Sequence, residues 1–398
     1  MAHPIASCAE AEAFFFKYVS ANDVGATGSH QAGFYMPRDS WKMFFHEPGE
    51  RGENRDTWLH VQWDHGTTKS RFVWYGKKTR SEYRLTNGFQ FLSPDNVGDL
   101  LVLAKQETNY YGFILQSDES IDEFLASFGL SPSDSGTVQF RRPSDDASLE
   151  EVVHPWARTF GGEFPSGEML SSKAREFVRP LLAPPKSEIP VTAQSKGLDL
   201  DSLLLQWLDY EFRIFRIIER EKYGSLLARP FESVEDLIQI SHTILNRRKS
   251  RAGNSLENHL RAIFQFLGIR FSFQETTEGS RRPDFTFPGK YYYDNPAFPS
   301  SALRFLGVKT TCKDRWRQIL NEADRIPRKH LFTLQQGVSS TQLSEMWDCG
   351  VILVVPQKHK PFFPPAFQSK IMSLREFLDD LPEIPEGAEM LSKEYKLF

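Results

Sequence analysis

At 398 residues the chain is too long for one ordinary domain, and its 40% hydrophobic and 25% charged content is globular rather than disordered. A net charge of −4 excludes a uniformly basic nucleic-acid binder, and the three cysteines (Cys8, Cys312, Cys349) exclude a disulfide framework or a zinc module. With no signal pattern and no run near the ~20 apolar residues of a membrane span, a soluble, reduced, cytoplasmic protein without membrane contact is expected.

The first half reads as strands and turns. Gly33–Met36, Trp58–Trp63, Ser70–Tyr75, Asp99–Leu103 and Tyr111–Leu115 are rich in aromatic and branched residues and are punctuated by Gly and Asn. They predict an all-β, barrel-like domain, with one short helix over Ile121–Phe128. Ser20–Gly33 is a Gly-rich loop without the Lys-Ser/Thr ending of a P-loop, which argues against nucleotide binding. In Lys78, Arg80, Glu82 and Arg84, alternation places all four on one face of an extended segment. Pro180, Pro184, Pro185 and Pro190 then mark a connector. The expected division is residues 1–179, a linker at 180–197, and residues 198–398.

Beyond the linker the pattern becomes α/β. Leu204, Trp207, Leu208, Phe215 and Ile218 fit one stripe of a long helix, and Leu256, Leu260, Ile263, Phe264 and Leu267 fit another. Ile269–Phe273, Phe285–Phe287, Phe305–Lys309, Leu331–Leu334 and Val351–Val355 read as strands of a mixed sheet. Trp316, Ile319, Leu320 and Ala323 predict a helix after the third of these.

The chemistry concentrates in this second half. Asp284 follows Pro283, Lys309 ends an apolar strand, and Glu322 lies seven residues after Arg315, on the same face if the segment is α-helical. Two carboxylates and a lysine are what metal-assisted phosphodiester hydrolysis needs. Each also has a plain reading: a turn carboxylate, a snorkelling lysine, a charged helix face. Glu257 stands at capping-box spacing from Asn254, so it either closes a helix start or adds a further acid to the site. Nucleases of the Pro-Asp…Asp/Glu-x-Lys kind place an acid two residues before the lysine. Here that residue is Gly307, and Glu322, on the expected helix after the strand, can supply the missing carboxylate from the opposite wall. Arg247, Arg248, Lys249 and Arg251, Arg281 with Arg282, and Lys309 through Lys329 form local basic clusters, either a phosphate track or solvated faces.

Asn246–Gly253 with Ser255-Leu256-Glu257, Arg282–Phe285, and above all the ungapped run Val308–Asp324 resemble the EcoRII-type type II (IIE) restriction endonucleases. The resemblance implies a carboxy-terminal PD-(D/E)XK endonuclease domain with Glu257, Asp284, Lys309 and Glu322 as its catalytic set. Asp284 and Glu322 would hold Mg2+. It gives Lys313, Asp314 and Arg315 the reading of a CC/GG half-site. A Lys-Asp-Arg triplet suits adjacent G·C pairs chemically, although Asp314 could equally cap a helix. The amino-terminal half resembles the same family's B3-like effector domain, with His30, Tyr35, Lys78, Arg80, Glu82 and Arg84 as DNA contacts. Tyr83 departs from a basic residue there.

The resulting expectation is a Mg2+-dependent homodimer cutting double-stranded DNA at CCWGG-like sites. Binding of a second site copy by the amino-terminal domain would relieve autoinhibition, and a cognate DNA methyltransferase would belong to the same system. The rivals are a non-cleaving sequence-specific DNA-binding protein on a degenerate nuclease fold and a structure-selective repair nuclease.

Overall fold

Every side chain of strand β1 (Ala13–Tyr18) is buried, which is why Phe14-Phe15-Phe16 carries no polar alternation. Its odd residues, Ala13 and Phe15, enter one core, while Phe14, Phe16 and Tyr18 enter a second on the other face. In the computed structural model, residues 3–25, 33–140, 147–178 and 199–384 are described. They fall into two units: Met1–Asp145 with Gln335–Glu345 and His359–Ser369, and the remainder.

The first unit is built on eight strands, β1, β2 (Phe34–Met36), β3 (Asn54–Trp63), β4 (Gly66–Tyr75), β5 (Glu82–Thr86), β6 (Leu100–Gln106), β7 (Asn109–Leu115) and β8 (Thr137–Phe140), in the order β2-β5-β4-β3-β7-β6-β1-β8. All pairings are antiparallel except β3 with β7. Phe15, Phe34, Val61, Phe72, Leu85 and Leu101, from six different strands, meet in one core. A sheet whose one face encloses a common core is curled into an open barrel. Helices α1 (Pro4–Glu10) and α3 (Asp118–Phe128) cover the other face, through Cys8, Ile121 and Phe124; α2 is the single turn Trp41–Phe44. The predicted strands are all present, and the 121–128 helix begins at Asp118, where Ser117 caps it by accepting from Ser120 N. Lys78 does not join an extended segment. It lies in the β4–β5 turn with φ +59°, and β5 begins only at Glu82.

The expectation of strands up to residue 179 fails between 147 and 177. That stretch forms α4 (Ala147–Arg158) and α5 (Gly167–Phe177). Leu149, Val153, Leu170 and Ala174 pack against Ile214, Phe215 and Ile218 of α6 (Leu200–Leu227). The compact units therefore divide at Asp145 and Asp146, because these apolar stripes need a helical partner that the barrel lacks. The Pro-rich linker at 180–197 lies outside the described residues.

In the second unit, α7 (Val234–Phe266) is capped by Ser233, whose hydroxyl accepts from Asp236 N. Asn254 and Glu257 thus stand mid-helix, and the capping-box reading of Glu257 is overturned. Leu256, Leu260, Ile263 and Phe264 of α7 pack on a mixed sheet ordered β13-β12-β11-β10-β9. Its strands are β9 (Ser272–Phe273), β10 (Phe285–Phe287), β11 (Arg304–Lys309), β12 (Lys329–Thr333) and β13 (Val351–Val354). β11, β12 and β13 run parallel, while β9 and β10 are antiparallel to their neighbours. A fully buried phenylalanine such as Phe264, Phe285 or Phe305 contributes on the order of 2–3 kcal/mol by burial. This packing fixes the ends of β10 and β11, where the candidate site lies.

Candidate active site and DNA-binding face

Asp284 immediately precedes β10, and Val308 and Lys309 end β11 alongside it. One carboxylate oxygen joins the two strands. Asp284 Oδ2 accepts from Val308 N at 2.7 Å and from Lys309 Nζ at 3.3 Å. Asp284 is 8% exposed, whereas Lys309 remains partly open to solvent. Sequence reading paired these residues on chemistry alone, and the register Phe285↔Leu306 is what brings them together.

Glu257 and Glu322 approach the same centre from opposite elements. Burial, then the charge of Asp284, pushes Glu257 up to about 7, against the pull of Lys309 and a hydrogen bond from Gln274. Burial and the Asp284 charge likewise push Glu322 up to about 7, opposed by Lys309 and Lys329. Both shifts have the mark of several carboxyls crowded around one lysine in a poorly solvated pocket. Glu322 Oε2 is buried and has no hydrogen-bond partner. Such an orphaned hard oxygen beside a second carboxylate suits a divalent cation. Among the described residues no group of three or more His, Cys, Asp or Glu side chains forms a ready-made metal cage. The arrangement fits an ion that keeps most of its waters and a substrate phosphate.

Glu322 does not sit on an α-helix. Arg315–Asn321 is a 3-10 helix, and Glu322 follows it in extended conformation, φ −98° and ψ 146°. The face shared with Arg315 is therefore lost, since three residues per turn set the two apart by a third of a turn. Gly307 has a steric explanation: a Cβ there would meet Ile319 Cγ2 at 2.8 Å. The position where an acid was expected is filled by the segment that delivers Glu322.

Gln274 escaped the sequence reading. Its Nε2 donates to Glu257 Oε2 at 2.7 Å and its backbone N to the Asp284 carbonyl at 3.1 Å. It holds φ +51°, a left-handed conformation uncommon for a residue with a side chain. Only the Phe271–Phe273 alternation before it hinted at a strand end there.

Lys313 and Asp314 immediately precede the 3-10 helix and Arg315 is its first residue, four to six residues after Lys309 in sequence. Asp314 occupies its N-cap position without a side-chain capping bond, so the capping alternative for this residue is not observed. Lys313 is half-buried, and burial lowers its pKa, opposed by Asp314. The basic clusters are less of a surface than their sequence implied. Arg248 forms a bidentate pair with Glu219 at 2.6–2.7 Å, Arg247 bonds Tyr223, and Arg251 lies 3.9 Å from Glu211. Arg281 pairs with Asp324 at 2.6 Å, and Arg325 donates to the carbonyls of Tyr293, Asn295 and Phe298.

In the first unit, Tyr35 is 49% exposed and stands opposite Arg84 across β2 and β5. Arg84 donates to Glu82 at 3.0 Å, and the Arg80 guanidinium lies 5.5 Å from the Tyr75 ring. Tyr83 points the other way. It is buried against Phe72 and accepts from Gly49 N, which accounts for its departure from a basic residue. The outer sheet face continues to Arg71 and Trp58, which the sequence placed only in strands, and Lys69 lies 4.9 Å from the Trp58 ring. His30 lies outside the described residues.

No helix among the described residues is long and apolar enough to cross a membrane. Two family models match: Restriction endonuclease EcoRII, N-terminal, over residues 8–126, and EcoRII C terminal, over residues 215–378. The type II restriction enzyme EcoRII of Escherichia coli is 36% identical over 394 residues, spanning 92% of this chain and 93% of that protein. Among solved structures, metal-depleted Ecl18kI with uncleaved, modified DNA is similar at 16% identity and a TM-score of 0.43, covering 64% of this chain and 87% of that one. A PspGI–substrate DNA complex is similar at 18% identity and a TM-score of 0.44, covering 58% and 94%. Because both halves match in order and the 36% identity runs nearly end to end, the chain belongs to the EcoRII family of type II restriction enzymes.

Proposed function

We propose that this enzyme is a Mg2+-dependent endonuclease that hydrolyses double-stranded DNA at CCWGG-like sites, with Glu257, Asp284, Lys309 and Glu322 as its working residues. In this reading the second unit is a PD-(D/E)XK domain whose second acid has moved to Glu322. The first is a B3-like effector domain that binds another copy of the site through Tyr35, Lys78, Arg80, Glu82, Arg84 and His30, relieving autoinhibition. A palindromic target is read most simply by a homodimer, and a cognate methyltransferase would protect the host's own sites.

The observation that carries the reading is the shared environment of Asp284. One oxygen receives Val308 N and Lys309 Nζ, and the same carboxylate's charge raises both Glu257 and Glu322. Asp284 and Glu322 would hold Mg2+, which when bound supplies Lewis-acid polarisation of the phosphate and a more acidic water. Lys309 neutralises charge developing on the scissile phosphate. Gln274 orients Glu257 toward the centre through its 2.7 Å bond. Lys313, Asp314 and Arg315 follow Lys309 within six residues, so reading G·C edges with them would couple correct sequence to phosphate position.

Incubating the full chain with plasmid DNA and Mg2+, then mapping fragment ends, tests this. Ends at CCWGG-like sites are expected. Sequence-independent cuts would favour a structure-selective nuclease, and binding without cutting a degenerate site.

A further inference from the structure

Glu322 is the least conventionally supported member of its site. No strand or α-helix carries it, and the next residue, Ala323, holds φ +50°. A loop in that conformation persists only when its surroundings impose it.

Two features impose it. Ile319 seats its Cγ2 in the space left by the missing Cβ of Gly307, which fixes the 3-10 segment from the β11 side. Lys329, the first residue of β12, grips the loop from the other side. It is only 6% exposed. Its Nζ donates to the carbonyls of Glu322, of Ala323 at 3.1 Å and of Ile326 at 3.0 Å. The three donors of an ammonium group are thus matched to three carbonyl acceptors of one five-residue loop. The Phe305 ring lies 5.5 Å from Nζ and covers the remaining side. Burying an ammonium group is expensive unless each donor is satisfied, so this lysine tolerates few other loop geometries.

We propose that Lys329 is a positioning residue for catalysis: by binding the 322, 323 and 326 carbonyls it aims the Glu322 carboxylate at Asp284 and Lys309. The proposal rests on Glu322 being a metal-holding acid. A lysine that merely stabilised the fold would lower stability without changing what the site binds.

The test uses the full chain and Ca2+ alone, titrated calorimetrically without DNA. Lys329→Met should weaken Ca2+ binding by about 10- to 100-fold, the usual effect of losing a group that orients a ligand. Lys329→Gln, which keeps an amide donor for the carbonyls, should fall between, and decides the matter if the Met variant does not fold. Leu353→Ala, buried on β13, is the control for lost stability and should bind Ca2+ as the parent does. In the unsubstituted protein, the Glu322 and Ile326 amides, bonded to the Ile319 and Ala323 carbonyls, should resist hydrogen exchange. Rapid exchange there, parent-like Ca2+ binding in a folded Lys329 variant, or an equal loss in Leu353→Ala overturns the proposal. Failure of the underlying reading looks different: Glu322→Gln would then bind Ca2+ and cleave like the parent.

Discussion

Replacing Asp284 by Asn and by Ala separates its chemical work from its structural work. Oδ2 accepts from Val308 N at 2.7 Å, inside a strand where Val308 is 4% exposed. Ala leaves that amide buried and unpaired, at a cost of about 1–3 kcal/mol. Asn keeps an acceptor there. It forfeits only the 3.3 Å contact with the partly exposed Lys309, worth about 0–1 kcal/mol. Removing the charge also relieves the repulsion that raises Glu257 and Glu322, so the Asn form should unfold within about 1 kcal/mol of the parent. Both variants should lose cleavage by about 10²–10³-fold or more while retaining specific DNA binding. Urea unfolding, plasmid cleavage and gel-shift binding read the three quantities. An Asn variant as unstable as the Ala one would remove the hydrogen-bond argument. An Asn variant that cleaves at the parent rate would remove Asp284 from the chemistry.

Lys309→Ala should lose cleavage by about 10²–10³-fold with under about 1 kcal/mol lost in stability, because its ion pair with Asp284 is partly solvated; binding lost in parallel with cleavage would contradict a role confined to the phosphate. Gly307→Asp should not rescue Glu322→Ala, since its Cβ would strike Ile319 Cγ2; recovered cleavage of plasmid DNA would show that the loop yields. His330, 1% exposed, is held down to about 4 by burial, against the charge of Asp380 and the Phe305 carbonyl. The unfolded chain takes up this proton below 6.5 and the folded chain only near 4, so stability is lost as pH falls through that window, by up to about 3 kcal/mol. His330→Gln should flatten the urea-measured pH dependence between those limits, and an unchanged slope would dispose of the assignment. A protein starting at residue 146 should fold and cleave without a second site, whereas one starting at 181 loses α4 and α5, bares Ile214, Phe215 and Ile218, and should be less stable to heat. Equal stability, or persistent two-site dependence, would tell against the division or the effector role respectively.

Periodicity made most of the sheet strands legible and missed what depended on a partner. β3, β4, β6 and β7 have one polar or punctuated edge that sequence exposes. β1 has none, because each of its faces lies against a separate core. α4 and α5 were hidden for a related reason. α4 contains Pro155, both helices are short, and their apolar stripes acquire meaning only against α6, roughly sixty residues away in sequence for α4 and roughly forty for α5. The prolines at 180–190 lie outside the described residues, and the compact units divide at Asp145 and Asp146. Burial likewise turned inward much of what looked like a basic surface, since Arg247, Arg248, Arg325 and Lys329 all spend their donors on the protein itself.

The site was legible where its residues end regular elements and obscure where a loop carries them. Asp284 and Lys309 each stand at the end of a strand that its apolar pattern reveals, and the register Phe285↔Leu306 then brings them together. Glu322 was singled out by the vacancy that Gly307 left in the expected spacing together with the resemblance of the Val308–Asp324 run. The structure links the two positions: the side chain omitted at 307 is the space that Ile319 needs, and Ile319 belongs to the 3-10 segment that ends at Glu322. Moving the acid off the strand therefore demands a small residue at 307, a branched side chain to fill the gap, and an anchor for the new loop. That same dependence means the acid cannot be restored to the strand by one substitution. Gly307→Asp with Ile319→Ala, which empties the slot, is the least change that could carry a carboxylate there, and cleavage by that pair in a Glu322→Ala background would show that the position, rather than the loop, is what the chemistry requires.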